Sequence, residues 1–230
     1  MKTKSKSKKP TRQPLAHQAY EIIVKRIICL EYQPGCHLEE SHLMEDLDIG
    51  RTPIREALVR LQSEKLVESH PNRGVVVRPI TLQNTKAMFE SMSIFEFGVV
   101  DIAQTKNCAQ WIPPMRQANA DVRKAIQANQ LFDLVEANHQ FHMHFAQCSQ
   151  NEFLIRAVHD VRSEAKRLSY LSYNTTIGLE KSQESHYESV VKEHDKIITC
   201  LEEQDYPALR ALLTDHIQTF KERIIQFMVS

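Results

Sequence analysis

Gly50-Arg51-Thr52-Pro53-Ile54-Arg55-Glu56-Ala57-Leu58-Val59-Arg60-Leu61-Gln62 is the stretch on which the fold turns. Ile54, Ala57, Leu58 and Leu61 recur at i, i+3, i+4 and i+7, the spacing that gives a helix one apolar side. Arg51, Thr52, Arg55, Val59 and Gln62 fall on the other side. Pro53 suits a first helical turn, where a missing N–H costs no hydrogen bond. Two arginines at the leading end of a short helix match a DNA major groove, because arginine donates two parallel hydrogen bonds to guanine or to phosphate. Thr52 and the helix N-terminus add donors for a phosphate oxygen. Taken alone, the pattern also describes an amphipathic surface helix with solvated arginines.

The flanking residues favour the first reading. Upstream, Leu38 to Leu47 reads as a second short helix with Leu43 and Leu47 inward, joined through Asp48-Ile49-Gly50. Two short helices about a tight turn make a helix-turn-helix. Downstream, Leu66 to His70 and Val75 to Arg78 are strand-like runs around Pro71-Asn72-Arg73-Gly74, a hairpin with arginine at its tip. Such a wing reaches an adjacent groove or the phosphate backbone. His17 to Leu30, with Tyr20, Ile23, Ile27 and Leu30 on one side, reads as a supporting helix closed by Pro34-Gly35.

The chain has 230 residues, 42% hydrophobic and 25% charged, as expected of a soluble globular protein of two modest domains. No apolar run approaches the ~20 residues of a membrane span, and the N-terminus lacks the apolar core of a signal peptide. A cytoplasmic protein, associated with the nucleoid through DNA, is the expectation. Five cysteines are scattered singly, without zinc spacing, and read as reduced thiols.

Net charge is zero, but residues 1–79 hold 14 Lys+Arg against 10 Asp+Glu, while residues 80–230 hold 15 against 19. The basic half contains the helix-turn-helix, as phosphate binding requires. Residues 1–14 have no acidic group and are expected to be a disordered basic tail, either solubilising or laid along phosphates. Residues 15–79 are the expected winged helix-turn-helix domain. Pro79-Ile80-Thr81 is the boundary, with Thr81 placed to cap the next helix. Residues 80–230 read as helices at 82–106, 113–129, 131–148, 151–173, 183–204 and 207–229, a six-helix antiparallel bundle. The fold is therefore mainly α.

The run from Pro34-Gly35 through Leu38-Glu39-Glu40, Leu43, Leu47, Gly50 to Leu58, Leu61, Leu66-Val67 and Asn72-Arg73-Gly74 resembles the winged helix of the GntR family of bacterial transcription regulators. The helical half resembles the ligand-sensing FCD domain of its FadR-like subfamily, in the six-helix, VanR-type form. The resemblance implies a sequence-specific regulator, a repressor, that binds operator DNA as a homodimer and answers to a small carboxylate effector. It also implies that Arg51, Thr52 and Arg55 contact the operator and that Asn72, Arg73 and Gly74 enter the minor groove. Ser41 and Gly50 depart from the arginine and serine usual there, so the operator is expected to differ from the common one. Met92 stands where many relatives place an arginine near the ligand.

In the helical half, His194 is central to the stripe Val190, Val191, Ile197, Ile198 and Leu201, and His216 to the stripe Leu209, Leu212, Leu213, Phe220 and Phe227. Asn138 and His142 lie i, i+4 beside Leu134, Phe141 and Phe145. An unpaired buried polar group costs ~1–3 kcal/mol. One divalent ion shared by Asn138, His142, His194 and His216 satisfies all four; separate bonds to carbonyls or carboxylates are the alternative. The resemblance points to the same four, although aspartate is more usual at Asn138. Imidazole-rich ligation with open positions suits Zn, Ni or Mn-like ions. His139, His144, His159 and His186 are expected on the surface. A metal-dependent hydrolase is disfavoured, since no His-Glu-x-x-His, Gly-rich loop or nucleophile elbow occurs. A helical adaptor with a vestigial winged helix is disfavoured by Arg51, Arg55 and Arg73.

Overall fold

The computed structural model describes residues 14–71, 74–174 and 183–229. The basic tail, except Pro14, and the wing-tip residues Asn72 and Arg73 lie outside the described residues. Two compact units emerge: Gly35–Arg78 with the preceding chain up to Arg26, and Ile27–Pro34 with the chain from Pro79 onward.

The first unit carries α1 (Leu15–Ile28) as far as Arg26, then β1 (His37–Leu38), α2 (Glu40–Leu47), α3 (Arg51–Ser63), β2 (Val67–His70) and β3 (Gly74–Val77). The strands form an antiparallel sheet in the order β1-β3-β2, with Leu38 opposite Val75 and Val67 opposite Val77. The sequence assigned Leu38 to the second helix; it is instead a buried strand residue, and the helix starts only after the extended Glu39. Pairing with the wing strand overrides the apolar spacing that Leu38 shares with the helix.

Ile54, Ala57, Leu58 and Leu61 of α3 are buried as their spacing requires, while Leu47 is only half-buried. α1 braces α3: the Tyr20 hydroxyl donates to Glu64 (2.6 Å), and the Arg60 guanidinium lies 3.4 Å from the centre of the Tyr20 ring. Between α2 and α3, the left-handed residue is Asp48 (φ 53°) and not Gly50, whose φ of −66° is open to any side chain. A serine therefore fits at residue 50 without strain.

The second unit holds α4 (Leu82–Ala103), a 3₁₀ turn at Ala109–Trp111, α5 (Ile112–Gln127), α6 (Leu131–Gln147), α7 (Glu152–Asn174), α8 (Gln183–Glu203) and α9 (Tyr206–Val229). Thr81 caps α4, its hydroxyl accepting from the Asn84 N–H at 3.2 Å. α5 packs on α6 and α8, α4 on α7 and α9, α6 on α7, and α8 on α9. One apolar cluster gathers Val99, Met115, Phe141, Phe145, Ile197 and Leu213. The other gathers Phe89, Met92, Leu168, Ile217 and Ile224. Met92, 1% exposed, is thus a core residue. Among the described residues no helix is long and apolar enough to cross a membrane.

Candidate functional site

α6, α8 and α9 each carry a histidine into the middle of the bundle. His142 and His194 are fully buried and His216 nearly so; one ring nitrogen from each lies within 4.8 Å of the others. Burial strongly lowers the proton affinity of His142, with the Arg162 charge adding to it. Burial does the same for His194, followed by repulsion from His216. Both are neutral imidazoles at ordinary pH, the form that ligates metals.

The outer ring nitrogens of His194 and His216 are engaged, and that fixes which of their nitrogens face inward. Asn119 on α5 uses its amide hydrogens on the Val191 carbonyl (3.2 Å) and on Asp195 (2.8 Å). Its oxygen is therefore the acceptor at 3.1 Å from His194 Nδ1, so His194 carries its proton on Nδ1 and a lone pair on Nε2. His194 Nε2 has no hydrogen-bond partner. His216 Nδ1 lies 2.6 Å from Glu193 Oε2, so a neutral His216 carries its proton on Nδ1 and turns its lone pair inward. Burial pushes the Glu193 carboxyl up, but the His216 contact and the Ser189 hydroxyl, which donates to the other oxygen at 2.7 Å, together hold it below its ordinary range. His142 Nδ1 is 3.6 Å from Glu96, a buried carboxylate ion-paired with Arg162. Phe141 stacks on the His194 ring at 3.7 Å between centroids and holds its plane.

The inner nitrogens of His142 and His216 stand 3.4 Å apart. Two nitrogens bound at ~2.1 Å to one tetrahedral ion are separated by about 3.4 Å. Asn138 Oδ1 is buried without a partner. Three converging imidazoles and an orphaned amide oxygen are a donor set that fits a divalent ion of the Zn, Ni or Mn kind.

Asn138 and His216 also border a cavity of about 30 Å³ shared with Arg162, Tyr173, His186 and Glu193. His186 was expected on the surface. It lies one turn before Val190, so it continues the inward stripe of α8, and its Nε2 is buried without a hydrogen-bond partner. His139 was also expected outside but is 6% exposed, because α6 is covered by α7 as well as by α5. His159 is exposed and His144 half-buried.

Sequence reasoning missed Asn119, Glu96 and Glu193. The first two were within reach of the same signal that found Asn138, a lone polar residue on a stripe. Asn119 sits among Met115, Ala118 and Val122, and Glu96 among Met92, Val99 and Val100.

On the first unit, Arg51, Thr52, Arg55 and Val59 form one exposed face of α3, with Val59 67% exposed. Arg55 Nε donates to both oxygens of Glu40 on α2 (2.9 and 2.8 Å), and Arg51 lies 4.0 Å from the same carboxylate. Gly74 opens β3 at φ 69°.

The family described as bacterial regulatory proteins, gntR family, matches residues 15–77, and the FCD domain matches residues 87–219. The chain is similar to the HTH-type transcriptional repressor RspR of Escherichia coli (strain K12), 24% identical over 93% of this chain and 90% of that protein. It is also similar to the Nta operon transcriptional regulator of Aminobacter aminovorans, 26% identical over 87% of this chain and 90% of that protein. Among solved structures, its fold matches a GntR regulator from Rhodococcus sp. RHA1 (TM-score 0.72, 19% identity, 91% and 97% of the two chains). It also matches McbR/YncC of E. coli (TM-score 0.76, 16% identity, 94% and 100%). With the FCD match alone spanning more than half of its length, the chain belongs to the GntR family, in the branch that carries an FCD domain, and is a transcriptional regulator with DNA and a small-molecule effector as partners rather than an enzyme.

Proposed function

We propose that this regulator is a repressor that binds a short, near-palindromic operator as a homodimer and is modulated by a small organic acid beside a divalent ion in the helical domain. α3 reads the major groove through Arg51, Thr52 and Arg55, and the wing from Asn72 to Gly74 follows the adjacent groove. A single helix of this size covers only a few base pairs, and two-fold pairing doubles the contact. The repressor sense is supported by the similarity to the E. coli transcriptional repressor RspR.

Asn138, His142, His194 and His216 are the proposed ligands. The observation that carries this reading is the agreement of the tautomers: Asn119 and Glu193 each fix a proton on the outer nitrogen, leaving the lone pairs of His194 and His216 facing inward. When bound, the ion supplies a Lewis-acid centre whose remaining positions accept a carboxylate oxygen. Arg162, Tyr173 and His186 border the cavity in which the effector is oriented.

The test selects bound sequences from a random duplex pool, then titrates carboxylates into the complex with and without a chelator. The proposal expects a two-fold-related consensus and an effect of carboxylate on DNA affinity that vanishes on chelation. Asymmetric selected sites contradict the dimeric reading, and a chelator-insensitive effect contradicts the role of the ion.

A further inference from the structure

We infer that this site retains its divalent ion tightly only together with an anionic ligand, so that ion and effector are held jointly and neither is a permanent resident. The inference rests on the metal reading above and concerns the charge of the donor set.

All four proposed ligand atoms are uncharged: three imidazole lone pairs and the amide oxygen of Asn138. The nearest buried carboxylate, Glu96, is neutralised by Arg162. Glu193 contributes its charge only through the far ring nitrogen of His216. A doubly charged cation at this place is therefore under-compensated, in a region where an uncompensated buried charge costs several kcal/mol. Either the ion leaves readily, or a second anion joins it.

The fold provides a place for that anion. The cavity opens from Asn138 and His216, and it is bordered by the Arg162 guanidinium and by the His186 ring, whose Nε2 has no hydrogen-bond partner. An anion entering it without the ion meets the Glu193 carboxylate; with the ion in place, attraction outweighs that repulsion. Each occupant thus raises the affinity of the other by the same factor. A carboxylate at residue 138 would supply the missing charge permanently and remove the dependence.

The experiment measures the Zn²⁺ affinity of the full-length protein by competition with a chromogenic chelator in perchlorate buffer. Sodium acetate is the anionic probe and acetamide its neutral counterpart. Acetate is expected to tighten Zn²⁺ binding by about tenfold or more in the wild type, and acetamide to leave it unchanged. Asn138→Asp is expected to bind Zn²⁺ tightly without acetate and to gain less than about twofold from it. If His194→Ala abolishes binding but acetate leaves the wild-type affinity unchanged, joint retention is overturned while the metal reading stands. If His194→Ala binds Zn²⁺ as well as the wild type does, the metal reading fails and this inference fails with it.

Discussion

His142 and His216 point their Nε2 atoms at each other across 3.4 Å, although they are 74 residues apart in the chain. The Glu193 contact puts the proton of a neutral His216 on Nδ1, so its inner nitrogen presents a lone pair. Without a cation or a proton between them the pair is a buried, poorly satisfied contact. With one it becomes the junction between α6 and α9.

Chelation should therefore destabilise the protein. A ligand present at about a hundred times its dissociation constant stabilises by ~2.7 kcal/mol. In a chain of this length that corresponds to a drop of roughly 5–10 °C in Tm when the ion is stripped. Differential scanning calorimetry in Zn²⁺ and acetate, with and without chelator, reads this, and His194→Ala should melt at the same temperature in both.

Asn119 acts through His194 as a positioning residue. Replacing it with Ala frees the ring, and loss of such an outer hydrogen bond typically lowers metal affinity by about 10–100-fold. Asn119→Asp, which still accepts from Nδ1–H, should recover most of that affinity. A purely structural role would lower the stability of the metal-free variants without moving their metal affinity relative to one another.

Glu40 holds the two arginines that α3 presents. Exposed pairs of this kind are worth only ~0–1 kcal/mol, so exchanging Glu40 for phosphate or guanine is cheap. Arg55→Ala should weaken specific operator binding by ~1–3 kcal/mol with the fold intact. Glu40→Gln should raise affinity for all duplexes and narrow the ratio of specific to non-specific binding. Fluorescence anisotropy across a salt series checks both, and unchanged affinities in both variants would remove α3 from the interface.

His186 gives the stability a pH dependence. Burial, reinforced by Arg223, lowers its pKa to about 3, while Glu193 opposes this and His216 adds to it; Tyr173 and Tyr187 flank the ring. The unfolded chain protonates this histidine near its ordinary value of about 6.5. Below that value the unfolded state binds more protons than the folded one. The contribution of His186 is thus whole above about pH 6.5 and is lost as pH falls towards 3. Urea unfolding of the metal-free protein should show a smaller loss between about pH 7 and pH 5 for His186→Gln than for the wild type.

Much of this was legible in the sequence, because helical periodicity reports burial directly. Ile54 to Leu61, the stripe around His194, and the Thr81 cap all stand where spacing placed them. What escaped was set by partners far along the chain. Leu38 is claimed by Val75 of β3, far along the chain in the wing. His139 is buried because α6 has two covered sides, whereas a single stripe predicts one. Asn119 and Glu96 reach the histidines only through tertiary packing, and no spacing within α5 or α4 names their partners.

His142, His194 and His216, with Asn138, are proposed to hold one divalent ion. Metal analysis of the full-length protein dialysed against Zn²⁺ and acetate, then freed of loose Zn²⁺ in buffer that still contains acetate, tests this directly. About one ion per chain is expected for the wild type and close to none for His194→Ala or His216→Ala. Equal metal content in all three proteins would contradict it.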